Sequence, residues 1–113
     1  MEDLGRRYYV RTATSIEEQV VVTSEQAEAI LRIAAEALRN AARHGVARCV
    51  SVALTADPLE LTVEDDGRGF HPDEVVSRGF GLTSMRERAE GTGASYALTS
   101  ADGQGTKVQV SWG

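Results

Sequence analysis

A single cysteine, Cys49, in 113 residues excludes an internal disulfide and a cysteine-rich zinc site, and it suits a reducing compartment. Two histidines, His44 and His71, are too few for a histidine metal cluster. Basic residues are also scarce. Twelve Lys and Arg against 17 Asp and Glu leave a formal charge of −5, which argues against a binder of phosphate backbones and hence against nucleic acid as a partner. No apolar run approaches the roughly 20 residues of a membrane span, and no secretory signal opens the chain. The expectation is a cytoplasmic domain, monomeric in isolation, with membrane anchoring of a longer parent left open. What is present is globular in composition, 42% hydrophobic and 26% charged, and its length fits one domain over residues 1–113.

Glycine is the abundant residue, with eleven copies against two prolines. Most lie after Asp66, in the pairs Gly67/Gly69, Gly79/Gly81 and Gly103/Gly105. Each pair is a Gly-x-Gly between periodic segments, where glycine supplies positive φ or lets backbone approach a ligand. One such pair is an ordinary turn. Their recurrence in one short domain points to a ligand.

Residues 7–13 and 17–22 read as short strands, the second carrying the β-branched run Val20-Val21-Val22. A helix is predicted from Ser24 to about His44, opened by a Thr23/Gln26 capping box and stopped by Gly45. Val50, Val52 and Leu54 alternate as one strand, and Leu59, Leu61 and Val63 as the next, with Asp57-Pro58 between them. A glycine-bounded loop from Gly67 to about Phe80 precedes a second helix near Leu82–Glu90. Strands near Ser95–Ser100 and Thr106–Trp112 close the chain. The pattern implies a two-layer α/β sandwich, with helices on one face of a mixed, mostly antiparallel sheet.

On the first helix, Ile30, Ala34, Leu38 and Ala41 mark an apolar stripe, whereas Glu36, Asn40, Arg43 and His44 fall within an arc of about 100° on the other side. Such a stripe is ordinarily a solvated face. Asn40 is a mediocre helix former, however, and Glu36 and Asn40 are hard oxygen donors one turn apart, as suits Mg²⁺ shared with phosphates. Strand parity runs Leu59, Leu61, Val63 and then Asp65, a carboxylate turned toward the core side, where it needs a donor, while Asp66 has the solvent parity. Thr106 continues the inward parity of Val108, Val110 and Trp112. Both Asp65 and Thr106 are equally readable as turn residues. The amides that open the second helix, after Gly79-Phe80-Gly81, form an anion site, a hinge, or both. No P-loop and no dinucleotide fingerprint is present.

Together these stretches resemble the GHKL ATPase superfamily, which includes gyrase B, MutL and sensor histidine kinases. Glu36-Ala-Leu-Arg-Asn40-Ala-Ala-Arg-His44-Gly45 resembles its asparagine box. Asp65-Asp66-Gly67-Arg68-Gly69-Phe70 resembles the first glycine box, Gly79-Phe80-Gly81-Leu82 the second and Gly103-Gln104-Gly105-Thr106 the third. The run Gly81-Leu82-Thr83-Ser84-Met85-Arg86-Glu87-Arg88-Ala89 is similar to the ATP-binding domain of kinases paired with NarL-type response regulators.

The resemblance implies a Bergerat-type fold and ATP and Mg²⁺ as cofactors. By the same resemblance Asn40 is the Mg²⁺ ligand, with Glu36 assisting phosphoryl transfer. Asp65 would hold the adenine amino group, with Thr106 near it through a water and Gly67 and Gly69 shaping the pocket. Gly79, Gly81 and Leu82 would set backbone against the phosphates, with Arg43 and His44 close by. Arg86 and Arg88 match the family's Met-Arg-Glu-Arg run, with catalysis and ion pairing both open. The family's kinases carry a phosphoacceptor histidine on a helical hairpin before this domain. Neither His44 in the asparagine box nor His71 in the lid fits that role, so hairpin and sensor are expected outside this chain. Phe80 is bulkier and less polar than the second glycine box leads one to expect.

The implied function is the catalytic domain of a two-component sensor histidine kinase, binding ATP or ADP, acting on the hairpin and serving a downstream NarL-type regulator. A stand-alone serine/threonine kinase of the anti-sigma-factor type and a non-catalytic ATP-sensing module are the alternatives.

Overall fold

Thr23 and Gln26 exchange the reciprocal bonds of a capping box. The Gln26 amide donates to Thr23 Oγ1 at 3.1 Å, and the Thr23 amide donates to Gln26 Oε1 at 2.9 Å. This fixes the start of a helix at Ser24, as the sequence predicts. The computed structural model describes residues 11–43, 47–68, 82–100 and 103–113. In chain order the elements are β1 (Arg11–Ile16), α1 (Ser24–Arg43), β2 (Cys49–Thr55), β3 (Leu59–Asp65), α2 (Leu82–Gly91), β4 (Ser95–Ser100) and β5 (Thr106–Trp112). The five strands form one sheet in the order β1-β2-β3-β5-β4, parallel between β1 and β2 and antiparallel elsewhere.

Strand register explains which face is covered. Val52, Val63, Val108 and Leu98 lie side by side across β2, β3, β5 and β4, and Leu54, Leu61, Val110 and Tyr96 form the next row. These rows pack with Ile33, Ala34, Ala37, Leu38 and Ala41 of α1 and with Met85 and Ala89 of α2 in one hydrophobic cluster. The opposite parity carries Ser51, Glu60, Thr62, Glu64, Lys107 and Gln109, none of them buried. Both helices therefore cover one face, and the two-layer sandwich expected from the sequence is the observed architecture. Leu61 is fully buried, and removing a side chain of that size from water contributes about 2–3 kcal/mol.

Two expectations need correction. Residues 17–22 are not a strand. The ladder beside β2 extends one residue beyond β1, through the Glu17 amide to the Leu54 carbonyl at 3.0 Å, and the chain then turns. Glu17 Oε2 accepts the Ala56 amide at 3.0 Å, holding that corner. Val20–Val22 have strand-forming side chains but no neighbouring strand, and Val21 stays 86% exposed. Of the strand expected over 7–13, residues 7–10 lie outside the described residues, and β1 continues instead to Ile16.

The buried face of α1 is also broader than the stripe Ile30, Ala34, Leu38, Ala41. It is rotated toward Ala29, Ile33 and Ala37, with Ile30 only half-buried. That rotation carries Asn40 into the buried arc, with 8% of its surface exposed, rather than onto a solvated face. Among the described residues, no helix is long and apolar enough to cross a membrane.

Candidate functional site

One end of the sheet gathers the chemistry. The core-facing row beyond Val52–Val63–Val108–Leu98 reads Val50, Asp65, Thr106 and Ser100, paired in register across β2, β3, β5 and β4. Alternation alone turns three polar side chains onto the face that elsewhere buries valine and leucine. Asp65 and Thr106 therefore have the inward parity the sequence predicts, and both are half-buried.

Asp65 is held by its own turn. The Gly67 amide donates to Asp65 Oδ1 at 2.8 Å. Burial is the leading influence on its carboxyl and pushes the pKa above the usual range. Backbone hydrogen bonds from Gly67 and Thr106 act against that rise, and the neighbouring charge of Asp66 adds to it. The group is thus a carboxylate with incomplete compensation for its lost water, suited to a ligand that brings a donor.

Asp66 does something different from facing solvent idly. Its Oδ1 accepts the Arg48 and Cys49 amides, both at 2.9 Å, and its own amide donates to the Cys49 carbonyl at 3.2 Å. The amides of Cys49 and Arg48 hold its pKa down. Asp66 is exposed yet clamps the end of β3 to the start of β2. Just before that clamp, the Ala47 amide donates to the Ala41 carbonyl at 2.9 Å. The bonds Ala41–Ala47, Arg48–Asp66 and Asp65–Gly67 thereby tie the last turns of α1, which carry Asn40, to the Asp65 end of the sheet.

The third glycine pair joins the same end. The Gly103 amide donates to the Arg68 carbonyl. Gly105 has φ +73°, and a Cβ placed there would overlap the Asp65 backbone carbonyl, so only glycine lets β5 enter the sheet so close to that residue. Ser100, which sequence reasoning did not single out, donates from Oγ to the Gly105 carbonyl at 3.1 Å and lies 2.9 Å from Thr106 Oγ1. Its parity with Tyr96 and Leu98 was the available signal.

Glu36 belongs to α1 rather than to this row. Its Oε2 accepts from Arg39 at 2.9 Å, and it lines a groove of about 390 Å³ between the helices with Arg39, Ser84, Met85 and Arg88. Glu36 is therefore already ion-paired. Arg86, whose role the sequence left open, sets its guanidinium over the Tyr96 ring at 5.4 Å from the centroid, bridging α2 and β4. His44, Gly69, Gly79 and Gly81 lie outside the described residues, as do Phe80, His71 and the side chains of Arg43 and Leu82; Arg43 closes α1 and Leu82 opens α2. Among the described residues, no group of three or more His, Cys, Asp or Glu could hold a metal by itself.

Residues 25–112 match the family model described as histidine kinase-, DNA gyrase B- and HSP90-like ATPase. The sensor protein VraS of Staphylococcus saprophyticus is 33% identical over 110 residues, covering 96% of this chain and 31% of that protein. VraS of Staphylococcus haemolyticus is 39% identical over 83 residues, covering 72% of this chain and 24% of that protein. The chain thus spans a third or less of the length of these relatives. Among solved structures, the blue-light activated histidine kinase EL346 of Erythrobacter litoralis superposes with a TM-score of 0.77 at 26% identity, over 98% of this chain and 38% of that one. With the family model covering most of its length, on a fold that solved histidine kinases share, this chain belongs to the histidine kinase-, DNA gyrase B- and HSP90-like ATPase family.

Proposed function

We propose that the chain binds Mg-ATP at the Asp65 end of its sheet and, within a longer cytoplasmic or membrane-anchored sensor kinase, transfers the γ-phosphoryl group to a phosphoacceptor histidine. The observation that carries this is the half-buried Asp65 carboxylate, set in one row with Thr106 beside two glycine-bearing segments in a chain of this ATPase family. Asp65 accepts the adenine amino group and Thr106 lies beside it. The motif resemblance assigns Gly67 and Gly69 to the base and Gly79, Gly81, Leu82, Arg43 and His44 to the phosphates.

The donor set fits Mg²⁺ only as a shared ion. Asn40 is a buried amide on the helix that the Ala47 and Asp66 bonds tie to this end, and the described residues supply no complete protein cage. Mg²⁺ when bound would neutralise phosphate charge. The protein's part is then to position and to exclude water. In the transfer, a histidine nitrogen of the separate hairpin bonds to the γ-phosphorus as the bond to the β,γ-bridging oxygen breaks and ADP leaves. Glu36, paired with Arg39, supports this by orientation. The similarity of residues 81–89 to kinases paired with NarL-type regulators favours a regulator of that type downstream, and the naming of the staphylococcal relatives as sensor proteins agrees with a role in signalling.

Thermal unfolding with nucleotides tests the binding step. At a hundredfold excess over Kd a ligand adds about 2.7 kcal/mol, so Mg-ADP should raise Tm by roughly ten degrees. ADP with EDTA should raise it less, and GDP hardly at all. No shift with any adenine nucleotide at millimolar concentration would sink the proposal.

A further inference from the structure

The covered face of the sheet stops one strand short of its edge. In the parallel register of β1 and β2, Thr12, Thr14 and Ile16 share a face with Val50, Val52 and Leu54. Val50 and Val52 are buried beneath the helices, whereas Thr14 is exposed and Ile16 is 61% exposed. β1 is also an edge, with β2 on one side and no strand among the described residues on the other. Sheet edges are commonly protected by charge within the strand, by proline or by a bulge. β1 has a charge only at its first residue and no proline, and its pairing with β2 runs unbroken from Arg11 to Ile16.

Backbone direction defines what this edge offers. The Arg11 and Glu17 amides donate to the Arg48 and Leu54 carbonyls, both at 3.0 Å, so the odd-numbered residues of β1 face β2 with their backbone groups. Thr12, Thr14 and Ile16 therefore turn N–H and C=O outward. Charge follows the same symmetry. Arg11 opens the strand and Glu17 follows it, at equal distances either side of Thr14, and neither has an ion-pair partner among the described residues. An antiparallel copy centred on Thr14 would set Thr14 opposite Thr14, Thr12 opposite Ile16, and Arg11 opposite Glu17 at both ends. Each pair of outward-facing residues then exchanges both N–H···O bonds, and Arg11 and Glu17 fall in the pairs whose side chains come closest. The opposite edge lacks this pattern. β4 carries no charged residue to set a register, and Arg86 of α2 lies over its Tyr96 ring.

We propose that β1 is a self-association edge, at which two copies of this chain pair β1 with β1 antiparallel about Thr14 and join their sheets. The occupant is a second copy because the edge carries one cation and one anion, placed so that each meets its opposite in the copy. The pairing uses none of the residues assigned to the nucleotide, and it sets the Asp65 end of one sheet beside the apolar end of the other. One strand pair buries less than the roughly 1,200 Å² of a standard interface. The chain is therefore monomeric when dilute and pairs as it is concentrated.

Sedimentation velocity of the ligand-free 113-residue chain, from micromolar to millimolar concentration, tests this. The weight-average mass should climb from that of one chain toward that of two. Thr14→Pro removes an outward N–H, leaves the bonds to β2 in place, and should keep the chain monomeric throughout. Arg11→Glu and Glu17→Lys should each weaken self-association about tenfold. An equimolar mixture of those two variants should regain it, because mixed pairs bring opposite charges together at both ends. Should Glu17→Lys disturb the bond from Ala56 and fail to fold, Arg11→Glu and Thr14→Pro still read the edge. A monomer at every concentration, or association that Thr14→Pro and Arg11→Glu leave unchanged, would overturn the proposal. Two folded charge variants that weaken alone and fail to associate when mixed would overturn the register, and the proposal with it.

Discussion

The two ends of the same strands have followed the same alternation to opposite results. At one end, Leu54, Leu61, Val110 and Tyr96 lie side by side on the covered face, with Leu59 and Trp112 beyond them. At the other, the same face carries Val50, Asp65, Thr106 and Ser100. The apolar end is closed over. One polar group there is tied off, the Trp112 indole donating to Thr92 Oγ1 at 3.0 Å and that hydroxyl donating to the Ala89 carbonyl at 2.9 Å, whereas the buried Tyr96 hydroxyl has no hydrogen-bond partner among the described residues. At the polar end, burial works against the Asp65 charge and is only partly offset by backbone amides. The apolar end holds the fold together, and the polar end gives up stability for a site.

That contrast makes Leu61 and Asp65 opposite kinds of residue, although they sit on one strand four positions apart. Leu61→Ala should have the largest effect on folding. A fully buried leucine reduced to alanine loses about 2–5 kcal/mol, depending on how far α1 and α2 relax into the space. Denaturant unfolding should show the loss, while the folded fraction keeps its affinity for ADP. A loss of affinity without a loss of stability would erase the distinction between the two ends.

Asp65→Asn should do the reverse. The amide keeps the size and can still accept the Gly67 N–H, but it removes the charge from a ligand hydrogen bond. Such a bond is worth about 1.5–3 kcal/mol, or roughly a ten- to hundredfold loss of ADP affinity by titration. The free protein should melt no lower than the unsubstituted chain. Retained affinity would remove Asp65 from the site, and with it the parity argument that put it there.

Most of this contrast is legible in the sequence, because parity is a local property. Leu59, Leu61, Val63, Asp65 and Val110, Val108, Thr106 read inward from spacing alone, and the capping box at Thr23 reads from four residues. What escaped was set by contacts between distant segments. Asp66 has the solvent parity and is exposed, yet its partners at Arg48 and Cys49 are 18 and 17 residues away, where spacing says nothing. Val20–Val22 carry strand propensity, but whether a strand forms depends on a neighbour, and β2 ends at Thr55. Asn40 was assigned to the wrong side of α1 because the stripe read from spacing left out Ala29, Ile33 and Ala37, which are buried once packed. The apolar end was thus the easier to read. The polar end is built from backbone clamps that composition does not show.

The smallest and most discriminating effect concerns the adjacent carboxylates Asp65 and Asp66. In Asp65 burial raises the pKa, so the folded protein binds a proton more tightly than the unfolded chain does. Its contribution to stability is then fully present below the unfolded value of 3.8 and is lost as pH rises through the raised folded value. In Asp66 the Cys49 and Arg48 amides lower the pKa, so its contribution is present above 3.8 and is lost as pH falls through the lowered folded value. Two neighbours on the chain should therefore tilt stability in opposite directions with pH. The measurement is Tm of the ligand-free chain, Asp65→Asn and Asp66→Asn from pH 3 to 7. In Asp66→Asn the amide oxygen still accepts both N–H groups, so charge is the main change. Relative to the unsubstituted chain, Asp65→Asn should gain as pH rises and Asp66→Asn should lose, with both differences shrinking toward pH 3. Slopes of the same sign would mean that the two carboxylates share one environment, and the division between a site residue and a clamp at this end of the sheet would fail.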